Sequence, residues 1–319
     1  MTAVETARGP LDSSALGRTL MHEHVFVLTL DSQQQWSDEW DEEARVEEAV
    51  GKLNALAAAG ISTIVDPTVD GLGRDVRRIA RIQQQVALNI VVATGIYTYH
   101  DVPNFFSSRG PGALPGLAEP MVELFVRDLT EGIQGTSIKA AFLKCAIDRP
   151  GLTPGVERVM RAVAQAHQAT GAPIMVHTHA RSEQGAVAGR LLGEEGVSPS
   201  RVLLAHSGDS TDADHLSGLA EAGFYLGMDR FGLEPILDFE ARVGIVAELC
   251  RRGFSRNMVL SQDAACYIDW VDPALLPALP RWHYLHVLED VVPALLERGV
   301  TAAQVDEMLV ANPRRYFEG

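Results

Sequence analysis

The stretch Thr19-Leu-Met-His-Glu-His24 ends a short apolar run with two histidines that are two residues apart. Side chains at this spacing on a β-strand point to the same side, so both imidazoles would face one point. Neutral imidazole nitrogens in that arrangement suit a metal ion. Taken alone, the pattern fits two polar histidines in a turn equally well. Further ligands at equivalent places in the chain would decide for a metal site.

Eight apolar runs in this chain have strand character, and helical stretches follow them. The predicted strands cover residues 19–24, 61–66, 88–96, 138–144, 173–177, 202–206, 224–229 and 258–263. The predicted helices cover approximately residues 42–59, 73–85, 121–131, 155–170, 183–195, 212–222, 236–252, 283–298 and 302–309.

This alternation predicts the fold class. Nearly continuous apolar strands alternating with helices indicate a buried parallel sheet. Eight such units without a break in composition predict a single (β/α)8 TIM barrel over residues 1–319. A doubly wound open sheet is the alternative, but the Gly-rich phosphate turn after its first strand is missing. In a barrel, the working site lies at the C-terminal ends of the strands.

Composition excludes several classes of partner. The net charge of −15 comes from 42 acidic and 27 basic residues, and no Lys/Arg stripe offsets it, so nucleic acid is not expected as a partner. No apolar run approaches the roughly 20 residues of a membrane helix, and the first residues do not resemble a secretory signal. Three widely spaced cysteines imply no disulfide framework. We therefore expect a soluble cytoplasmic protein with no membrane contact. The acidic segment Asp38-Glu-Trp-Asp-Glu-Glu43 is interpreted as a solvated loop entering a helix rather than a cation site.

Polar residues at five predicted strand ends support a metal site. A rim histidine can merely form hydrogen bonds and a strand-end aspartate can cap a helix, but so many together point to metal binding. His179 is interpreted as a structural residue, and the four histidines His167, His215, His283 and His286 as surface or packing residues. The candidate ligands are His22, His24, Lys144, His177, His206 and Asp263.

Lys144 is unusual in this set, because an ammonium group would be repelled by metal ions and burial disfavours its charge. Three states are open for it. It points away from the site, it is a neutral amine, or CO₂ has converted it to a carbamate whose two oxygens bridge two ions. With ligands enough for two ions, we favour the carbamate.

These motifs resemble the binuclear amidohydrolase superfamily. The chain is similar to its phosphotriesterase family from Leu20-Met-His-Glu-His24 to Asn312-Pro-Arg-Arg-Tyr-Phe317. Within that family it most resembles the phosphotriesterase-like lactonases, specifically the actinobacterial quorum-quenching type. The resemblance implies one metal-dependent hydrolase domain, a homodimer, and two divalent cations. Zinc is expected first, with cobalt, manganese or iron as alternatives.

The resemblance also implies how the ligands are shared. His22, His24 and Asp263 would hold a buried ion, and His177 and His206 a more exposed one. Carbamylated Lys144 and a hydroxide would bridge the two ions.

Three residues outside the ligand set bear on the substrate. Tyr97 in Gly95-Ile-Tyr-Thr-Tyr99 and Arg230 in Gly227-Met-Asp-Arg-Phe-Gly232 match positions that distinguish the lactonases from dedicated organophosphate hydrolases. Arg230 is expected to brace the active-site loops; the alternative is only an ion pair with Asp229 or a loop acid. Trp270 begins a loop rich in Leu, Pro and Trp, which suits either a groove for an acyl chain or a subunit contact.

Together these features predict a lactonase that opens N-acyl-homoserine lactones or related acyl lactones, with weaker phosphotriester hydrolysis. Hydroxide would attack the lactone carbonyl, Tyr97 would steady the oxygens and Asp263 would shuttle the proton. The alternatives are a primary phosphotriesterase and a non-catalytic metal-containing barrel that binds a small hydrophobic ligand.

Overall fold

The structure, a computed structural model, describes residues 2–36 and 40–319. An eight-stranded parallel sheet, nearly closed into a barrel and surrounded by helices, confirms the predicted (β/α)8 fold. The strands in chain order are β1 (Ala3–Thr6), β2 (Gly9–Asp12), β3 (Thr19–Leu20), β4 (His24–Val27), β5 (Thr63–Asp66), β6 (Asn89–Gly95), β7 (Phe142–Ile147), β8 (Ile174–Thr178), β9 (Val202–Ala205), β10 (Tyr225–Met228), β11 (Met258–Leu260) and β12 (Ala265–Ile268).

The helices lie mainly between consecutive barrel strands. They are α1 (Leu30–Gln35), α2 (Glu42–Ala58), α3 (Val76–Gln83), α4 (Asn104–Ser107), α5 (Pro120–Thr130), α6 (Pro154–Thr170), α7 (Gln184–Glu194), α8 (Ala213–Glu221), α9 (Phe239–Arg251), α10 (Val292–Glu297), α11 (Ala302–Asp306) and α12 (Asn312–Glu318). Two π-helical segments, Val287–Val291 and Glu307–Ala311, lead into α10 and α12.

The barrel sheet runs in the order β3-β5-β6-β7-β8-β9-β10-β11. The first and the last strand of the barrel are each interrupted, and their continuations β4 and β12 pair in parallel with each other, with Ala265 opposite His24. We call the two interruptions, residues 21–23 and 261–264, the seam. The barrel therefore closes at a place where neither strand has regular ladder geometry.

Local sequence signals set the helix ends as predicted. In α6, the Thr153 side chain accepts a hydrogen bond from the Val156 amide, Pro154 occupies the first turn, and Gly171 follows with φ 73°. In α2, Asp41 caps the helix and Glu42 and Glu43 lie in the first turn, as the solvated-loop interpretation expects. Asp38 and Glu39 of that acidic segment lie outside the described residues.

Three predicted strand ends are wrong. The first run was expected to continue to His24 as one strand, but β3 ends at Leu20 and β4 begins at His24, so His22 lies in the seam and not in a strand. The fourth run was expected to end at Lys144, but β7 continues to Ile147 because Cys145-Ala-Ile147 is apolar and pairs in register with β8. Lys144 therefore lies inside a strand. The eighth run was expected to reach Asp263, but β11 ends at Leu260, since the amides after it bond across the seam.

Further elements were not predicted: the antiparallel hairpin β1–β2, the strand β12, the short helices α1 and α4, and the final helix α12. Among the helices that the structure describes, none is long and apolar enough to cross a membrane.

Candidate metal centre

The six predicted ligands line one cavity of about 260 Å³ at the C-terminal ends of the barrel strands. His22 and Asp263 lie in the seam, and His24 is the first residue of β4. The other three come from β7, from β8 and from the residue after β9; they are Lys144, His177 and His206. Strands far apart in the sequence thus bring together the residues that the sequence singled out.

The first cluster contains His22, His24 and Asp263. The Nε2 atoms of both histidines lie 3.3 Å from Asp263 Oδ1. Metal–ligand bonds of about 2.1 Å in a tetrahedral arrangement place neighbouring ligand atoms about 3.4 Å apart. Both histidine nitrogens therefore already stand at that separation from Asp263 Oδ1, and all three donor atoms lie within 4.8 Å of one another.

The second cluster contains His177 and His206. The Nδ1 atom of His177 lies 2.9 Å from the Nε2 atom of His206. Burial lowers the pKa of His177 to about 4, and burial also holds the pKa of His206 well below its ordinary value. Both rings are consequently neutral at pH 7, the form in which imidazole binds a metal.

Asp229, at the end of β10, orients two of these rings. Its Oδ2 atom lies 3.0 Å from His22 Nδ1, and its Oδ1 atom lies 2.9 Å from His206 Nδ1. Burial opposes ionisation, but the imidazoles of His206 and His22 outweigh it and hold the pKa of Asp229 well below its ordinary range. A carboxylate that accepts from Nδ1–H leaves the Nε2 lone pair free for a metal. The sequence suggested Asp229 only as an ion-pair partner of Arg230. In the described part of the chain, Asp229 contacts the two histidines instead, and Arg230 pairs with Asp209 and Asp263.

The other two histidines have polar partners of the same kind. His24 Nδ1 lies 2.7 Å from the Thr68 hydroxyl, which in turn donates to Asp66. His177 Nε2 lies 2.8 Å from Asp148 Oδ2. Against the effect of burial, hydrogen bonds to Asp263 and Asp66 raise the pKa of His24 to about 9. A cation that binds there must therefore displace a proton.

Lys144 differs from the other candidate ligands in its hydrogen bonding. Its Nζ atom is buried and finds no hydrogen-bond partner in the described part of the chain. Burial lowers the pKa of Lys144 to about 8, so the amine is still mostly charged at pH 7, with about one part in ten uncharged. An uncharged amine is the form that reacts with CO₂. The donor set and this orphaned amine together fit two divalent cations bridged by a carbamate.

Arg230 lies between the carboxylates of Asp263 and Asp209. Its Nε donates to Asp263 Oδ2 over 3.0 Å and its Nη1 donates to Asp209 Oδ2 over 3.1 Å. Arg242 lies on the other side of Asp209, at 2.7 Å from Oδ1. These contacts fit both the predicted bracing of the active-site loops by Arg230 and the alternative, an ion pair with a loop acid. Asp209 and Arg242 were missed because nothing in their local sequence marks them.

Asp263 and His206 adopt left-handed backbone conformations, with φ values of 54° and 67°. Such a conformation costs about 1–3 kcal/mol for a residue with a β-carbon. Strain of this size at two candidate ligands indicates that the surrounding structure holds them in place.

An aromatic wall faces the ligands across the cavity. The Tyr97 ring lies 5.1 Å from the His177 ring and 5.8 Å from the Trp270 ring, centroid to centroid. The Tyr97 and Tyr99 hydroxyls contact each other, and burial together with Tyr99 raises the pKa of Tyr97 well above its ordinary value. The Trp282 indole donates to the carbonyl oxygen of Asp263 over 3.1 Å. Apolar side chains complete the wall, among them Ile268, Val271 and Leu279.

The remaining histidines lie apart from the two clusters. His179 contacts Arg149 and Ser182, in keeping with a structural role. His167 bonds the carbonyl of Ala172. His286 is fully buried and bonds Asp290, and with His283 these two form a further group whose ligand atoms could hold a metal ion.

Comparison with known proteins places this chain in a family. The family model described as "Phosphotriesterase family" matches residues 2–317. The chain belongs to the phosphotriesterase family. It resembles the solved structure titled "Structure of the phosphotriesterase from Mycobacterium tuberculosis" with a TM-score of 0.97 and 56% identity, covering 99% of this chain and 98% of that one.

Two curated relatives extend the comparison. A "Phosphotriesterase homology protein" of Mycobacterium tuberculosis (strain H37Rv) is 56% identical over 320 residues, which is 100% of this chain and 98% of the relative. An "Aryldialkylphosphatase" of Saccharolobus solfataricus is 37% identical over 310 residues, 96% of each chain. This chain is thus a phosphotriesterase-family hydrolase with a candidate metal centre. The role of each site residue and the single-domain assignment stay predictions.

Proposed function

We propose that this protein is a metal-dependent lactonase that opens N-acyl-homoserine lactones or related acyl lactones and hydrolyses phosphotriesters as a side activity. The observation that carries the proposal is the cavity itself. Its polar floor of candidate ligands continues directly into the apolar wall formed by Tyr97, Ile268, Trp270, Val271 and Leu279. The polar lactone ring of an acyl lactone would lie on this floor and its apolar acyl chain along this wall, because ligand sites combine apolar walls with a few placed polar groups.

Two divalent cations, held by the five imidazole and carboxylate ligands and by carbamylated Lys144, would lower the pKa of a water molecule and polarise the ester carbonyl. Zinc is the first candidate, with cobalt, manganese and iron as alternatives. Asp263, whose first oxygen faces His22 and whose second oxygen accepts from Arg230, would take the proton of the attacking water. Water adds to the acyl carbon and the ring C–O bond breaks. The proton on Asp263 then passes to the departing ring oxygen, which leaves as an alcohol.

Tyr97 would orient the substrate. Its raised pKa keeps the phenol protonated at neutral pH, so it can donate a hydrogen bond to a lactone oxygen. Trp270, whose indole donates to the Thr29 hydroxyl over 3.0 Å, would form the wall along which the acyl chain lies. The cavity is small for a long-chain substrate, so a long chain would run out through its open side.

Hydrolysis rates for homoserine lactones of graded acyl length, with paraoxon as the comparison substrate and zinc- or cobalt-loaded protein, test this proposal. We expect kcat/KM for acyl lactones to exceed that for paraoxon and to rise with chain length. Efficient turnover of paraoxon with no lactone opened would overturn it in favour of a primary phosphotriesterase. That alternative is supported by the 37% identity to the relative named aryldialkylphosphatase.

Absence of turnover with every substrate, despite bound metal, would favour the third alternative, a non-catalytic barrel that binds a small hydrophobic ligand. The paired donor clusters and the strained Asp263 argue against it, because a binding module gains nothing from a strained acid beside its ligands.

The proposal extends to the assembly and setting of the protein. It includes a homodimer with a quorum-quenching role in the cytoplasm, without nucleic-acid or membrane partners. The acidic net charge supports the exclusion of nucleic acid. The free, buried thiols of Cys145, Cys250 and Cys266 are compatible with a reducing compartment.

A further inference from the structure

Glu23, the residue between the first two candidate ligands, has no part in the chemistry described above. Its side chain is fully buried at 0% exposure. The Gln262 amide donates to Oε1 over 2.9 Å and the Ala264 amide donates to Oε2 over 3.0 Å. Burial raises the pKa of Glu23 well above its ordinary value, against the two amide hydrogen bonds, and a buried carboxyl group is costly unless its oxygens are satisfied. Here the partners are two main-chain N–H groups from the far end of the sequence rather than a cationic side chain.

Those two amides flank Asp263 on either side. The Asp263 amide itself donates to the His22 carbonyl over 3.2 Å. Three consecutive amides of the seam are thus held by residues 22–23, two by the Glu23 side chain and one by the His22 carbonyl. The left-handed backbone of Asp263, with φ 54°, lies at the centre of this arrangement. The carboxylate of Glu23 therefore binds the backbone that this unfavourable conformation exposes.

The seam is also bonded in the opposite direction. The His22 amide donates to the Ser261 hydroxyl over 2.8 Å, and the His24 amide donates to the Ala264 carbonyl over 2.8 Å. Each side of the seam therefore fixes the main chain of the other. Two candidate ligands of the first cluster, His22 and Asp263, lie in the seam, and the third, His24, follows it directly.

We propose that Glu23 is a positioning residue that holds Asp263 in its left-handed conformation and so sets its carboxylate against His22 and His24. The effect on turnover rests on the hydrolase function proposed above, whereas the effect on metal retention needs no substrate. A merely structural Glu23 would close the barrel and contribute to stability only.

The test compares Glu23→Gln with wild type and with a matched control. Glutamine has nearly the same volume but offers one acceptor and one donor, so one seam amide would face an N–H group. The control is Asn312→Ala. Asn312 is equally buried and donates to the carbonyls of Ser255 and Met258, next to the start of β11 and away from the metal cluster.

Zinc-loaded proteins are mixed with a chromogenic chelator, and zinc release is followed in time beside kcat, KM and the unfolding temperature. Residues that orient ligands typically change metal affinity or activity about 10–100-fold. We expect Glu23→Gln to release the zinc of the first cluster at least about 10-fold faster and to lower kcat at least about 10-fold, with KM within about threefold. Asn312→Ala should lower the unfolding temperature and leave zinc release and kcat near wild type.

The proposal is overturned if Glu23→Gln lowers only the unfolding temperature, as Asn312→Ala does. It is also overturned if kcat falls without faster zinc release. If the wild type turns over no substrate, the proposed function is rejected. The zinc-release comparison then still decides whether Glu23 positions Asp263.

If Glu23→Gln does not fold, two measurements remain. Glu23→Asp keeps the charge but shortens the reach, and should show the same changes in smaller measure. In the wild type, amide hydrogen exchange at Gln262 and Ala264 should be as slow as in β11. Fast exchange at these two amides would mean that Glu23 does not hold them, and would overturn the proposal.

Discussion

The metal rim and the loop over residues 271–281 share one cavity but are built in opposite ways. Rim residues such as Asp263 are bonded to parts of the chain more than 200 residues away. The loop is bonded mainly to itself: Leu275 N donates to Asp272 O over 2.8 Å, and Leu279 N donates to Leu276 O over 2.9 Å. Its leucines are exposed, Leu275 at 58%. From this difference we expect the chemistry to reside in the rim, which is bonded across the chain, and the substrate preference in the loop.

The largest effect expected from breaking this division comes from Asp263→Asn. Loss of the proton acceptor should lower kcat about 10²–10⁴-fold for lactone and paraoxon alike, since both reactions need the same proton transfer. Steady-state kinetics on metal-loaded protein measures this. Asp272→Asn is the control on the loop side: Asp272 caps a loop turn, asparagine caps equally well, and kcat should stay within about twofold. Equal losses in the two variants would contradict the division.

The second-largest effect should come from metal removal, which should lower the unfolding temperature. Ions that bind only the folded state stabilise it by about 2.7 kcal/mol at 100 times Kd. With about 2–4 °C per kcal/mol for a chain of this order of size, a chelator should lower the unfolding temperature by about 5–10 °C. Calorimetry before and after chelation, and after zinc is restored, measures the shift. An unfolding temperature that ignores the chelator would argue against ion binding at the two clusters.

The smallest effect should come from Trp270→Ala on the loop side. Removing an aromatic wall worth about 1.5–3 kcal/mol should raise KM for a long-chain acyl lactone about 10-fold or more. A short γ-lactone, which does not reach the wall, should keep its kcat within about twofold. Trp270→Phe separates the ring from the indole bond to Thr29 and should recover most of the loss. If the short and long substrates lose equally, Trp270 supports the rim rather than the acyl chain.

What the sequence predicted follows the same division. The barrel and the convergence of His22, His24, His177 and His206 follow from the alternation of strands and helices, because parallel strand ends meet at one rim. Lys144 was predicted to lie in the site but at a strand end, whereas it lies inside β7. A charged residue marks a strand end only when it meets water, and this one is buried.

The hydrogen bonds of the seam and the carboxylates that contact the ligand histidines could not be predicted from the sequence. Periodicity reports which face of a strand is buried, not which side chain will bond a main-chain amide at the other end of the chain. Glu23 and Asp229 therefore appeared as an intervening residue and an arginine partner rather than as parts of the site. Asp209 was missed altogether, since its role depends on Arg230 and Arg242 meeting it in space.

The seam joins two segments of the chain that are synthesised at very different times. His22 and His24 leave the ribosome early, but the Asp263 that completes their cluster is made much later. At about 5–20 residues per second, the two halves of the cluster are separated by roughly 10–50 s of synthesis. Throughout that interval the nascent chain carries a histidine pair without its carboxylate. The first cluster is therefore complete as a candidate metal site only after the last strand joins the first.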